Sequence, residues 1–142
     1  MAPQRLLKLT LAYNRNLDAS EEEFHRFITE EHIPKAVAIH QRHNLQGYSY
    51  HFSPTPMRKV LSTACERLQN GWTVDTHDAT VEFYFQDIAD LVTVSTDPDF
   101  IALQATEAPY ISKKGVVAQL RWLETYIADQ HVVNLVDRKS QY

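Results

Sequence analysis

Hydrophobic and polar residues alternate over residues 5–13, RLLKLTLAY, with Leu7, Leu9, Leu11 and Tyr13 on one side and Lys8, Thr10 and Ala12 on the other. A period of two predicts a strand with one apolar face. The period then lengthens. Ser20 followed by Glu23 forms a capping box, and Phe24, Phe27, Ile28 and Val37 recur at helical spacing, so a helix is expected over about 20–43. Glu21 to Glu23 are its solvated first turn, favoured by the helix dipole. Pro34 lies within this helix and has no N–H to donate, which predicts a break with the chain turning around residues 31–33, beside His32.

Alternation returns in QGYSYHF at 46–52 and in ATVEFYF at 79–85, where Val81, Phe83 and Phe85 oppose Thr80, Glu82 and Tyr84. Both segments read as strands. Between them, MRKVLSTACERL at 57–68 sets Val60, Leu61, Ala64, Cys65 and Leu68 on one helical stripe, an inserted helix with Cys65 in the core. Asp87 caps a short helix carrying Ile88, Leu91 and Val92, and Asp97 before Pro98 caps another that ends near Thr106. The β-branched and aromatic run at 116–127, VVAQLRWLETYI, is the fourth strand.

Two successive strand-helix-strand units place the chain in the α+β class, as a ferredoxin-like split βαβ antiparallel sheet with helices on one face. The uncovered face can pack on an identical sheet in a C2 homodimer, giving a dimeric α/β barrel. The tail after Ile127 keeps Val132, Val133, Leu135 and Val136 and is expected to reach over the partner. Residues 1–142 are expected to be one domain, with 128–142 a C-terminal extension.

Composition narrows the function. The 142 residues, 44% hydrophobic, suffice for one core. A net charge of -4 with scattered Lys and Arg predicts no nucleic-acid partner, and no apolar run reaches the ~20 residues of a membrane span. A single cysteine and no secretory leader pattern predict a reducing, cytoplasmic setting. The three glycines, Gly47, Gly71 and Gly115, build neither a P-loop nor a GxGxxG turn. His40 and His43 have metal-compatible spacing, but no nearby carboxylate or cysteine completes a set, so a solvated pair and no metal are expected.

The sequence SEEEF followed by EHIP, then TVEFYF running into QDIADLVTVSTDPDF, resembles the EthD-type members of the dimeric α/β barrel superfamily. Within it the chain is similar to fungal polyketide-tailoring enzymes such as the atrochrysone carboxylic acid decarboxylases, over roughly residues 5–127. The resemblance implies a cofactor-independent acid/base enzyme on an aromatic polyketide, with decarboxylation the leading reaction. Cyclisation, dehydration and cofactor-free phenol or anthrone oxygenation are its alternatives. A non-catalytic dimer binding a hydrophobic ligand or heme is the alternative of another class.

With the apolar strand faces under the helices, the opposite faces are expected to line the cavity, bringing Lys8, Thr10, Ser49, His51, Glu82 and Tyr84 together. His32 matches the family's H-x-P motif and would protonate the enolate carbon left by CO2. His51 and Tyr84 would hold the enolate oxygen, with Glu82 orienting a histidine or a substrate hydroxyl. Tyr13, Tyr50 and Trp122 would pack on the planar substrate. His25 and His131 are expected at the surface, His77 and Asp78 in a turn, and Trp72 as a lid or an anchor.

Overall fold

The computed structural model describes residues 2–142. Strand β1 (Leu6–Tyr13) leads into one continuous helical run, made of α1 (Glu21–Arg26), a π-helical segment (Phe27–His32) and α2 (Ile33–Arg42). Strand β2 (Gly47–Phe52), α3 (Thr55–Leu68) and β3 (Ala79–Phe85) follow. Then come α4 (Ile88–Ser95), α5 (Pro98–Ala105) and β4 (Val117–Leu123). The sheet has the order β2-β3-β1-β4 with every neighbouring pair antiparallel, the ferredoxin-like arrangement.

Cross-strand register sorts the side chains. Leu7 pairs with Phe85 and Trp122, Leu9 with Phe83 and Leu120, and Leu11 with Val81 and Ala118, so these residues share one face. Tyr48, Tyr50 and Phe52 join it opposite Phe83, Val81 and Ala79. Phe24, Phe27 and Ile28 pack onto this face and close the main core. The other face carries Lys8, Thr10, Ser49, His51, Glu82 and Tyr84.

The expected chain turn at 31–33 does not occur. Ser20 caps α1 with its hydroxyl accepting from Glu23 and the Glu23 carboxylate accepting from the Ser20 N–H. The backbone then stays right-handed helical through His32 (φ -78°, ψ -57°) and Ile33 (φ -57°, ψ -45°). The Ile33 N–H bonds to the Ile28 carbonyl, five residues back, so Pro34 enters in the first turn of α2 just after a widened turn. A π-segment has taken the place of a break.

Two other expectations change. No residue of α3 is buried: Val60 is 72% and Leu68 71% exposed, and Cys65 is half-buried rather than in the core. The helix is tied down at its start, where Glu21 accepts from the Thr55 N–H at 3.0 Å and Arg58 lies 3.4 Å from Asp78. An amphipathic stripe says that a face wants cover, not that this chain supplies it. Strand β4 also ends four residues before its expected limit of 127, at Leu123. The tail forms two short hairpins, β5 (Ile127–Ala128) with β6 (His131–Val132) and β7 (Leu135–Val136) with β8 (Lys139–Ser140). Each turns through two residues of positive φ, Asp129 and Gln130 in one and Asp137 and Arg138 in the other.

Candidate active site

A cavity of about 220 Å³ lies between the apolar sheet face and the helices. Its polar groups arrive from separate elements. Tyr13 ends β1, Tyr50 sits in β2, His32 closes the π-segment, His40 lies in α2, and Glu107 and Lys113 come from the connection between α5 and β4. Leu11, Val81, Phe83, Phe100 and Ile111 supply apolar wall.

The π-segment accounts for the histidines. The buried positions Phe24, Ile28, His32, Ala36 and His40 advance in steps of four. In an α-helix each such step overshoots a full turn by roughly 40°, and a run of them would wind off the core. The wider π turn absorbs part of that drift, keeping both histidines inward at 4% (His32) and 3% (His40) exposure.

His32 is charge-poor and poised. Its Nδ1 stands 3.7 Å from Glu107 Oε1, beyond hydrogen-bond reach, and has no other partner. Burial pushes its pKa below the usual value, Glu107 pulls it up, and Lys113 pushes it down again, so the ring is neutral near pH 7. Glu107 is itself buried and ion-paired to Lys113. His32 meets the ring of Tyr50 edge-on at 6.1 Å, and the Tyr13 hydroxyl donates to the Tyr50 hydroxyl. Burial raises the pKa of both phenols, which keeps them as protonated donors. The arrangement can take a proton at one point and hold an oxyanion at another.

Of the residues expected to share one site, His32, Tyr13 and Tyr50 meet here and the rest do not. Ser49, His51, Glu82 and Tyr84 lie on the opposite sheet face, because register alternates sides strictly along a strand. There they satisfy one another. Lys8 Nζ is 2.6 Å from Glu82, the Tyr84 hydroxyl donates to Glu82 at 2.8 Å, and His51 lies 3.3 Å from the same carboxylate and 3.1 Å from Ser49. Burial would raise the Glu82 pKa, but bonds from Lys8 and Tyr84 outweigh it and hold it low. Tyr84 is pushed up to about 12 by burial and by Glu82. Trp122 shares the apolar face but sits on edge strand β4, 61% exposed, against Arg5 rather than in the cavity.

Glu107 and Lys113 go unnoticed in the sequence pattern, and His40 reads there as one of a solvated pair rather than as a cavity residue. His40 had a signal, since it continues the steps of four from Phe24, whereas the loop residues Glu107 and Lys113 carry none. The expected His40–His43 pair is not solvated as a pair: His40 is buried, and His43 turns to Asp97 at 2.6 Å. Among the described residues no group of three or more His, Cys, Asp or Glu is placed to hold a metal ion, and no helix is long and apolar enough to cross a membrane.

A family model described as EthD domain matches residues 16–114. The chain is 38% identical over 139 residues to an Aspergillus terreus protein described as "Putative oxygenase", covering 98% of this chain and 87% of that one. It is 25% identical over 135 residues to dehydratase iacD of Pestalotiopsis fici, covering 95% of this chain and 98% of the other. Among solved structures, an EthD family protein from Bacillus halodurans superposes with a TM-score of 0.53 at 15% identity, over 84% of this chain and 98% of that one. That last likeness is one of fold.

Proposed function

The chain belongs to the EthD domain family, and we propose that it is a cofactor-independent tailoring enzyme of fungal secondary metabolism that moves a proton to and from an enolisable carbon of a compact phenolic polyketide. The observation that carries this reading is His32, buried and neutral, 3.7 Å from Glu107, edge-on to the Tyr50 ring and lining one cavity with the hydrogen-bonded Tyr13 and Tyr50. The imidazole takes the proton. Glu107 stabilises the imidazolium as it forms, and the closing of that 3.7 Å gap supplies a bond made only when charge has developed. The Tyr50 hydroxyl, already receiving a bond from Tyr13, donates to the enolate oxygen.

One enolate serves several outcomes. It can expel a β-hydroxyl as water, or react at its CH2 carbon with O2 to give C=O and water. It is also what remains when a β-keto acid passes its carboxyl proton to His32 and loses CO2, and His32 then delivers that proton to carbon. The names of the two fungal relatives support the first two outcomes, and the resemblance of the sequence to polyketide decarboxylases supports the third. All three pass through the same enolate, the first two by His32 taking a proton from carbon and the third by His32 delivering one.

The active unit is a homodimer in this reading. The polar sheet face, the unburied α3 and the tail, with Ile127 68% and Val132 69% exposed, offer more apolar and strand surface than one chain covers.

Hydrogen–deuterium exchange tests the proton step without knowledge of the product. Anthrone incubated in D2O with the protein should exchange its CH2 protons faster than in buffer, followed by proton NMR, and His32→Ala should lose the acceleration. Exchange equal to buffer for the wild-type protein, or unchanged in a folded His32→Ala, would refute it. Water loss, O2 uptake and CO2 release then assign the outcome.

A further inference from the structure

We propose that His40 and Tyr48 form a second polar subsite, which binds a distal oxygen of a two-ended phenolic substrate where the cavity meets a surface hollow. The inference rests on the reading of the cavity as a phenol-binding active site and adds what the substrate must carry. Both ring nitrogens of His40 lack a hydrogen-bond partner although the residue is only 3% exposed, and the buried Tyr48 hydroxyl is also unpartnered. Burying polar atoms without partners is costly, and three of them at one spot call for a ligand.

The placement fits. His40 lines the cavity that holds His32, and it also lines an adjoining hollow of about 280 Å³ bounded by Gln41, Leu45 and Tyr48. Its ring lies 4.6 Å from that of Tyr48 and is walled by Phe83 at 5.2 Å and Phe100 at 5.5 Å. Tyr48 and Tyr50 are two residues apart on β2 and share a face, so their backbones are separated by about 6–7 Å of strand, with the His40 ring beside Tyr48 and the His32 ring beside Tyr50. The Tyr13–Tyr50–His32 end handles the reacting oxygen. The Tyr48–His40 end receives the second one. A neutral imidazole suits this task because it can donate from one nitrogen and accept at the other, and so can bind a hydroxyl in either sense.

A matched pair of naphthols tests it by calorimetry. 2,7-Dihydroxynaphthalene has hydroxyls at its two ends, and 2-naphthol lacks the distal one. The wild-type protein should bind the diol about tenfold more tightly, the discrimination expected when a buried polar site is left unpaired. His40→Phe should bring the two affinities within about twofold while leaving 2-naphthol within about threefold of its wild-type affinity. Tyr48→Phe, which removes one hydroxyl and no volume, should cut the preference about threefold and carries the test if His40→Phe does not fold. A wild-type protein without preference, a preference that survives in the variants, or failure of both naphthols to bind would each overturn the subsite. These equilibria do not depend on turnover, so loss of the His32 exchange activity alone would sink the catalytic reading and leave the subsite standing.

Discussion

His40 should make this protein acid-labile well above the pH at which its carboxylates titrate. Burial, helped by the nearby His32 and His43, lowers the pKa of the ring from 6.5 to about 4. The unfolded chain therefore binds a proton that the folded chain refuses, so stability falls as pH drops below 6.5 and stops falling on this account near 4. At ~1.4 kcal/mol per pH unit, the loss between pH 7.5 and 5 is about 2 kcal/mol. The groups packed on the ring, Tyr48, Phe83 and Phe100, offer no charge to offset it. Urea unfolding of wild type and His40→Phe at fixed protein concentration, every half unit from pH 7.5 to 5, measures the difference. The phenylalanine keeps the aromatic packing and removes the titration, so the variant's curve should be flatter by about 2 kcal/mol over that range. His32, also lowered by burial, leaves the variant a residual slope of the same sign. Parallel curves would refute the reasoning and mean that His40 has a hydrated or paired environment.

His32→Ala should lower turnover by roughly 10²- to 10⁴-fold with a nearly unchanged melting temperature, whereas activity falling only in step with the folded fraction would make His32 a structural residue. Ser20→Ala removes the hydroxyl half of the capping box and should cost about 1 kcal/mol in denaturant unfolding, with kcat preserved. Deleting residues 128–142 should weaken self-association in sedimentation by exposing the partner's side of the contact, and an unchanged dissociation constant would place the tail elsewhere. Activity should survive exhaustive dialysis against a chelator, and restoration by one added metal alone would overturn the metal-free reading.

The fold was legible because its information is local. Alternation in RLLKLTLAY and ATVEFYF, the Ser20 box and the Asp87 and Asp97 caps each act within a few residues, and all reappear in the structure at the expected elements. Interpretation failed where an element's partner lies outside the pattern. Pro34 reads as a stop only if the helix keeps α geometry, and one i→i−5 bond at Ile33 removes that premise. The α3 stripe likewise gives a direction without saying what covers it.

The site was less legible, and the reason is a matter of which side of a sheet polar chemistry prefers. The open face looked functional because its residues are polar: Lys8, Ser49, His51, Glu82 and Tyr84. Yet polarity there is mutually satisfied, with Glu82 accepting from Lys8 and Tyr84 and lying beside His51, so those groups have little left to offer a ligand. On the apolar face the polar groups are few, and several polar atoms are unpaired. Nδ1 of His32, both nitrogens of His40 and the Tyr48 hydroxyl are buried without partners, and each was paid in desolvation before any ligand arrived. An apolar wall strengthens whatever bonds they make, since water does not compete for them. Counting polar residues along a strand therefore points to the open face, whose groups are already paired with one another, while asking which buried polar atoms lack a partner points to the cavity. That question needs the contacts of His32 with a loop about 75 residues away at Glu107, and no periodicity in the sequence encodes them.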